Sequence, residues 1–164
     1  MLFRSSVGEE DHIKPAVQAL VQLHLWSLAI KPGKPFAFGA LRHAPDRADS
    51  TSAHFIGLPG NPVSSFVTFL LLVRPFLLSL QGARDVHAPR WRLRVATDGP
   101  KADRRREFLR ARRNAAGELE LFPNQSSGVL TSAVWAHGVI ENPAGTVIRA
   151  GDTVDFIPWS EWLA

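Results

Sequence analysis

The 164-residue chain has no cysteine. That excludes both a disulfide framework and a thiolate metal site, and it fits a cytoplasmic protein. Its histidines, His12, His24, His43, His54, His87 and His137, show no metal-ligand spacing. Lysine is scarce: four of the nineteen basic residues, the other fifteen being arginine. The opening residues turn acidic at Glu9 and carry no apolar stretch of signal-peptide length. The most apolar run, residues 66–80, contains Arg74 and Pro75 and falls short of the ~20 apolar residues a membrane span needs. It reads as a buried helix. There is no internal repeat and no low-complexity tract.

What is present is 45% hydrophobic residues, enough for one domain or two small ones with a real core. The net charge is +4 and the isoelectric point about 10.3. Residues 84–113 hold eleven basic and four acidic side chains. Such a run is a solvated surface by default, or a patch for nucleic acid. No aromatic platform is interleaved as in single-strand binders, so nucleic acid is the weaker reading. A basic protein also suits a small polyanionic substrate.

Local patterns predict a helix over residues 11–23, with Asp11 as N-cap, Pro15 in the first turn and Ile13, Val17, Leu20 and Val21 as its apolar stripe. Strands are expected at 23–30, 35–41 and 54–58, with a polar loop at 42–53. A long helix over 63–80 should kink or break at Pro75 and stop at Gly82. Beyond residues 83–89 the pattern turns strand-like. Strands are expected at 91–95, 107–112, 118–122, 138–141 and 154–157, with a short helix over 128–136. The order implies part of an α/β layer over residues 1–82, then a small β-rich domain over 83–164.

Two turns carry candidate chemistry. In Lys31-Pro32-Gly33-Lys34-Pro35 the prolines cannot continue a strand ladder and Gly33 permits positive φ. Two ammonium groups then project from one rigid turn, a clamp for a phosphate or another tetrahedral oxyanion. The alternative is a solvated turn that happens to hold lysines. In Gly57-Leu58-Pro59-Gly60-Asn61-Pro62-Val63-Ser64-Ser65 a strand turns rigidly into a helix that begins with serines. Free N–H groups there favour anions, although plain capping by Ser64 or Ser65 is the ordinary role. The lysine and spacing of a Walker loop are absent.

These two segments occur in the order and wording of a known family. Val7-Gly8, Asp11, residues 28–39 and residues 57–65 resemble the third subdomain of the molybdopterin molybdenumtransferases, the family of bacterial MoeA and the gephyrin E domain. Arg105-Arg106-Glu107-Phe108-Leu109-Arg110, then Gln125-Ser126-Ser127-Gly128 and Ala150-Gly151-Asp152-Thr153-Val154, resemble its C-terminal subdomain. The resemblance runs from about Ser6 onward and lacks the family's first two subdomains and its glycine-rich pterin-binding turns.

The resemblance implies a partial three-layer, MogA-like α/β subdomain followed by a barrel-like β-rich domain. It implies insertion of molybdate into adenylylated molybdopterin with release of AMP, helped by magnesium. Lys31, Lys34 and Ser64 would lie at the oxyanion site, Pro62 would shape its loop, and Arg105 and Ser127 would complete it. Asp11 would match a carboxylate near metal and phosphate, and Asp11, Lys31 and Lys34 would be the catalytic set. The family also implies a homodimer, with activity depending on a longer chain. A non-catalytic dimerisation fragment is the competing reading.

Overall fold

A computed structural model describes residues 17, 20–41 and 53–163. The predicted N-cap Asp11 and most of the predicted first helix and polar loop lie outside these residues.

Val17 and Leu20 are helical, as expected, but the helix does not reach residue 23: from Val21 the chain is a strand, β1 (Val21–Ser27). The sequence Val-Gln-Leu-His alternates apolar and polar residues, so it satisfies a strand's period as well as a helix's. The partner strand decides. β3 (Pro35–Leu41) pairs antiparallel with β1, Val21 opposite Leu41. Gly39 permits the close approach, since a Cβ there would collide with the Gln22 carbonyl. Val21 is buried, whereas Leu20, expected on the same stripe, is 65% exposed. β4 (His54–Gly57) joins the other edge of β3 to complete a three-stranded sheet.

The expected strand over 23–30 is broken. Between β1 and β3 the short β2 (Ile30–Lys31) leaves this sheet and pairs in parallel with β6 (Arg106–Arg113). The chain therefore crosses at the lysine turn from one sheet to the other.

The second sheet has the order β2-β6-β8-β9-β5, with β7 (Leu119–Leu121) on β6. Here β5 is Trp91–Arg94, β8 is Gly138–Asn142 and β9 is Thr153–Pro158. An isolated bridge between Val95 and Leu119 links the end of β5 to β7, which closes the strands into a barrel. Alternation divides the side chains between two cores. Leu109, Ile140 and Phe156 fill the interior with Val95, Ala111, Leu119 and Ile148. Their neighbours Phe108, Val139 and Ile157 face outward to a second cluster.

That second cluster receives the long helix. α1 (Pro62–Thr68) places Val63 and Val67 on Phe108, Val139, Ile157, Ala88 and Trp162, with Leu70 following. The helix runs as one body from Pro62 to Leu80, nineteen residues, long and apolar enough by length and composition to cross a membrane, and so longer than the run read from sequence. About a third of that stretch is buried, so it is a one-sided core helix rather than a fully buried one. The break expected at Pro75 takes the form of a π-helical stretch, Phe69–Val73, before α2 (Arg74–Leu80). Pro75 has no N–H to donate, and the Arg74 N–H reaches back five residues to the Phe69 carbonyl. α2 buries no residue fully, but Phe76 meets Phe38 and His54 of the small sheet edge-on at 5.3 and 5.0 Å. The helix thus lies between the two sheets. Gly82, at φ +86°, ends it.

The predicted hairpin is present, with Gly117 at φ +83° in its loop. The helix expected over 128–136 shortens to α3 (Thr131–Trp135), after a run of turns. α4 (Trp159–Leu163) follows β9, and Trp159 stacks on Trp162 at 5.7 Å.

Candidate functional site

The lysine turn is tightly made. The Lys31–Pro32 peptide bond is cis, and Gly33 has φ +116°. A Cβ on Gly33 would collide with the Thr68 Cγ2 of α1. The glycine therefore serves two purposes, the left-handed turn and the close seat against the helix. Thr68 Oγ1 donates to the Ser64 carbonyl at 2.7 Å, which places the turn one helical turn from the buried Ser64.

Lys31 and Arg105 converge on one oxygen. Lys31 Nζ lies 3.3 Å from Asp103 Oδ2, and Arg105 Nη2 donates to the same Oδ2 at 2.8 Å. Arg105 Nε and its backbone N–H also donate to Asp103 Oδ1, each at 3.0 Å. Lys31 further donates at 3.0 Å to Glu107 Oε1, a fully buried carboxylate whose Oε2 accepts from Asn142 Nδ2. The hydrogen bonds from the Arg105 guanidinium and amide hold the Asp103 carboxyl well below the usual range. Its reciprocal effect raises Arg105. For Lys31, partial burial acts to lower the pKa, but the bonds and charges of Glu107 and Asp103 raise it on balance.

A second group forms at the start of α1. Asn61 is the N-cap and Pro62 the first helical residue, so the cap is neither Ser64 nor Ser65. The Asn61 side chain does not cap its own helix; its Nδ2 donates to Ser127 Oγ at 3.0 Å. The Val63 N–H donates to the Ser127 carbonyl at 3.2 Å. Ser65 Oγ donates to the Pro59 carbonyl, which tightens the turn. Ser127 therefore meets the residue 57–65 turn.

Of the predicted residues, the structure brings Lys31 to Arg105 through Asp103, and sets Ser127 against Asn61 and Val63, the neighbours of Pro62. No contact joins Ser64 to Ser127 among the described residues. Gly33 and Thr68 join the two groups. Lys34 is exposed and makes no ion pair among the described residues.

Residues 92–159 match the MoeA C-terminal region (domain IV), and residues 5–79 match the probable molybdopterin binding domain. Molybdopterin molybdenumtransferase of Haemophilus influenzae is 36% identical over 165 residues, covering 96% of this chain and 38% of that protein. The chain belongs to the MoeA family. The molybdenum cofactor synthesis protein cinnamon of Drosophila melanogaster is 36% identical over 88% of this chain and 23% of its own length. A crystal structure described as a molybdopterin biosynthesis moea protein from Pyrococcus horikosii superposes with TM-score 0.70 at 25% identity, covering 89% of this chain and 34% of that one. The chain thus spans well under half the length of these MoeA relatives.

Four residues in or beside these two groups carry no role in the sequence reading: Asp103, Glu107, Asn61 and Arg110. The available signal was a Glu and an Arg flanking Phe108 and Leu109 in the middle of a strand. β6 buries Glu107 through Ala111 without a break, so both charges had to find partners. The arginine-rich run is largely spent on cross-strand pairs. Arg90 and Arg106 share Glu141, Arg92 meets Asp155, and Arg112 meets Glu120.

Proposed function

We propose that this chain supplies the oxyanion-binding part of a molybdopterin molybdenumtransferase, acting in molybdenum cofactor biosynthesis on molybdate and adenylylated molybdopterin. The observation that carries the reading is the single carboxylate oxygen shared by Lys31 and Arg105. Two cations from distant parts of the chain, aimed at one oxygen, make a seat for an oxygen of a tetrahedral anion. Asp103 stands in that seat and neutralises it, so molybdate, or the phosphate of the adenylylated substrate, competes with this carboxylate. Lys34, exposed on the same turn and without an ion pair among the described residues, adds a further positive charge. Ser127 and Ser64 supply polar groups on the other side of the turn.

In this reading the chain's own work is electrostatic: Lys31, Arg105 and Lys34 gather the anion and offset charge on the departing phosphate as AMP leaves. Magnesium, which the family implies, would be a hard cation held by oxygen donors. Among the described residues no group of three or more His, Asp or Glu side chains could hold a metal ion. Asp103 and Glu107 are already bound to cations, so they do not fit that role.

AMP release from adenylylated molybdopterin, measured on the purified chain with and without molybdate, tests the reading. Molybdate-dependent release that is lost in Lys31→Ala and reduced in Lys34→Ala is expected. No release, together with no calorimetric binding of molybdate by a folded sample, would overturn it. The competing interaction reading draws on the exposed apolar side chains Phe69, Leu77 and Leu80 along the long helix. It predicts concentration-dependent dimerisation that molybdate does not alter.

A further inference from the structure

Among the fully buried side chains, Arg110 is the largest, and it is a cation, 1% exposed. Among the described residues its guanidinium meets only neutral acceptors. Nε donates to Ser132 Oγ at 3.1 Å, Nη2 to the Ser126 carbonyl at 3.2 Å and Nη1 to the Phe108 carbonyl at 3.4 Å. Burial lowers its pKa to about 10, so it stays charged at neutral pH. Burying a charge without a counter-charge is costly, and what offsets the cost here is a set of hydrogen bonds to one segment.

The main chain of Arg110 grips the same segment. Its N–H donates to Gln125 Oε1 at 3.0 Å, and its carbonyl accepts from Gln125 Nε2 and from the Phe122 N–H, both at 3.0 Å. Residues 122–132 have little regular structure of their own, yet they are fastened to β6 at this one residue from both ends and the middle. Ser127 projects from that fastened segment to the start of α1, where Asn61 and Val63 meet it.

We infer that Arg110 is a positioning residue: it sets Ser127 against the residue 57–65 turn and so fixes the serine's place at the oxyanion site. The positioning rests on the hydrogen bonds alone, while its functional consequence rests on the function proposed above. Arg110 touches no substrate in this scheme.

Amide hydrogen exchange followed by NMR, with a calorimetric molybdate titration, tests it on the complete protein. The variants are Arg110→Gln and the charge-keeping Arg110→Lys, with Ser127→Ala for comparison. Exchange at the Val63 amide should accelerate about tenfold or more in both Arg110 variants, the scale of losing hydrogen bonds to a charged donor. Amides of the β6–β8 ladder should keep their protection. Molybdate affinity should fall to the level of Ser127→Ala, with no further loss when the two changes are combined. Unchanged exchange at Val63, or unchanged affinity where the parent protein binds, would overturn the inference. So would loss of protection along the whole ladder in both variants, which would show a purely structural arginine. Faster exchange at Val63 in a protein that never binds molybdate would uphold the positioning and reject the oxyanion reading.

Discussion

Lys31 and Lys34 stand three residues apart on one turn and face opposite surroundings. On the barrel side, Lys31 is held by Asp103 and by the buried Glu107, and Arg105 by Asp103. The four charges cancel. On the solvent side, Lys34 is exposed and meets no carboxylate among the described residues. One side of the turn is neutralised by its own carboxylates, so an anion must displace Asp103 to reach it. The other carries a charge with nothing to do but attract. Equal residue types at equal spacing thus divide the work, because one lies over a strand that buries a carboxylate.

The turn can be broken at its hinge, and there the effect should be largest. Gly33→Ala combines a left-handed φ with collision against Thr68. Strain and overpacking together predict a loss of about 3 kcal/mol, read from urea unfolding. Glu107→Ala removes the buried anchor of the neutralised side and frees Asn142. A loss of about 2 kcal/mol is expected in the same measurement, since hydrogen bonds to a charged group disappear in the interior. The lysines should then separate cleanly. Lys31→Ala should cost about 1 kcal/mol, because it leaves Glu107 unpaired while Lys31 itself is partly screened by solvent. Lys34→Ala should stay within about 0.5 kcal/mol of the parent, as for an ordinary surface change. Equal losses from the two would erase the contrast.

The smallest effect concerns pH. Asp103 titrates below an ordinary carboxyl in the folded chain. Its contribution to stability is therefore fully present above the unfolded value of about 3.9 and fades only as pH falls through the lower folded value. The stability difference between the parent and Asp103→Asn should be flat above about pH 4 and close beneath it. A difference that closes near neutral pH would mean that the shared-oxygen bridge does not form in solution.

Much of the barrel was legible in the sequence, because residues 91–95 alternate with period two and its turns carry Gly117 and Gly151 at positive φ. The lysine turn was legible too, since prolines and glycine limit what it can be. The start of β1 was not: Val-Gln-Leu-His fits both periods, and only the partner β3 resolves it. Nor was the departure of β2 to the barrel, a two-residue pairing with no local signature. Arg105 and Ser127 were read by wording rather than geometry. The carboxylate joining Lys31 to Arg105 had no sequence signal, because a single Asp in a polar stretch is ordinary.

The long helix has one more consequence. Val63, Val67 and Leu70 lie within the first matched family segment, while Phe108, Val139 and Ile157 lie within the second, and all six belong to one apolar cluster. The units that the sequence families recognise are therefore not the units that melt. A cut in the exposed stretch between Gly82 and His87 should leave two pieces that hold together and unfold as one body. Swapping either piece for a relative's would succeed or fail at this shared seam rather than at the covalent joint.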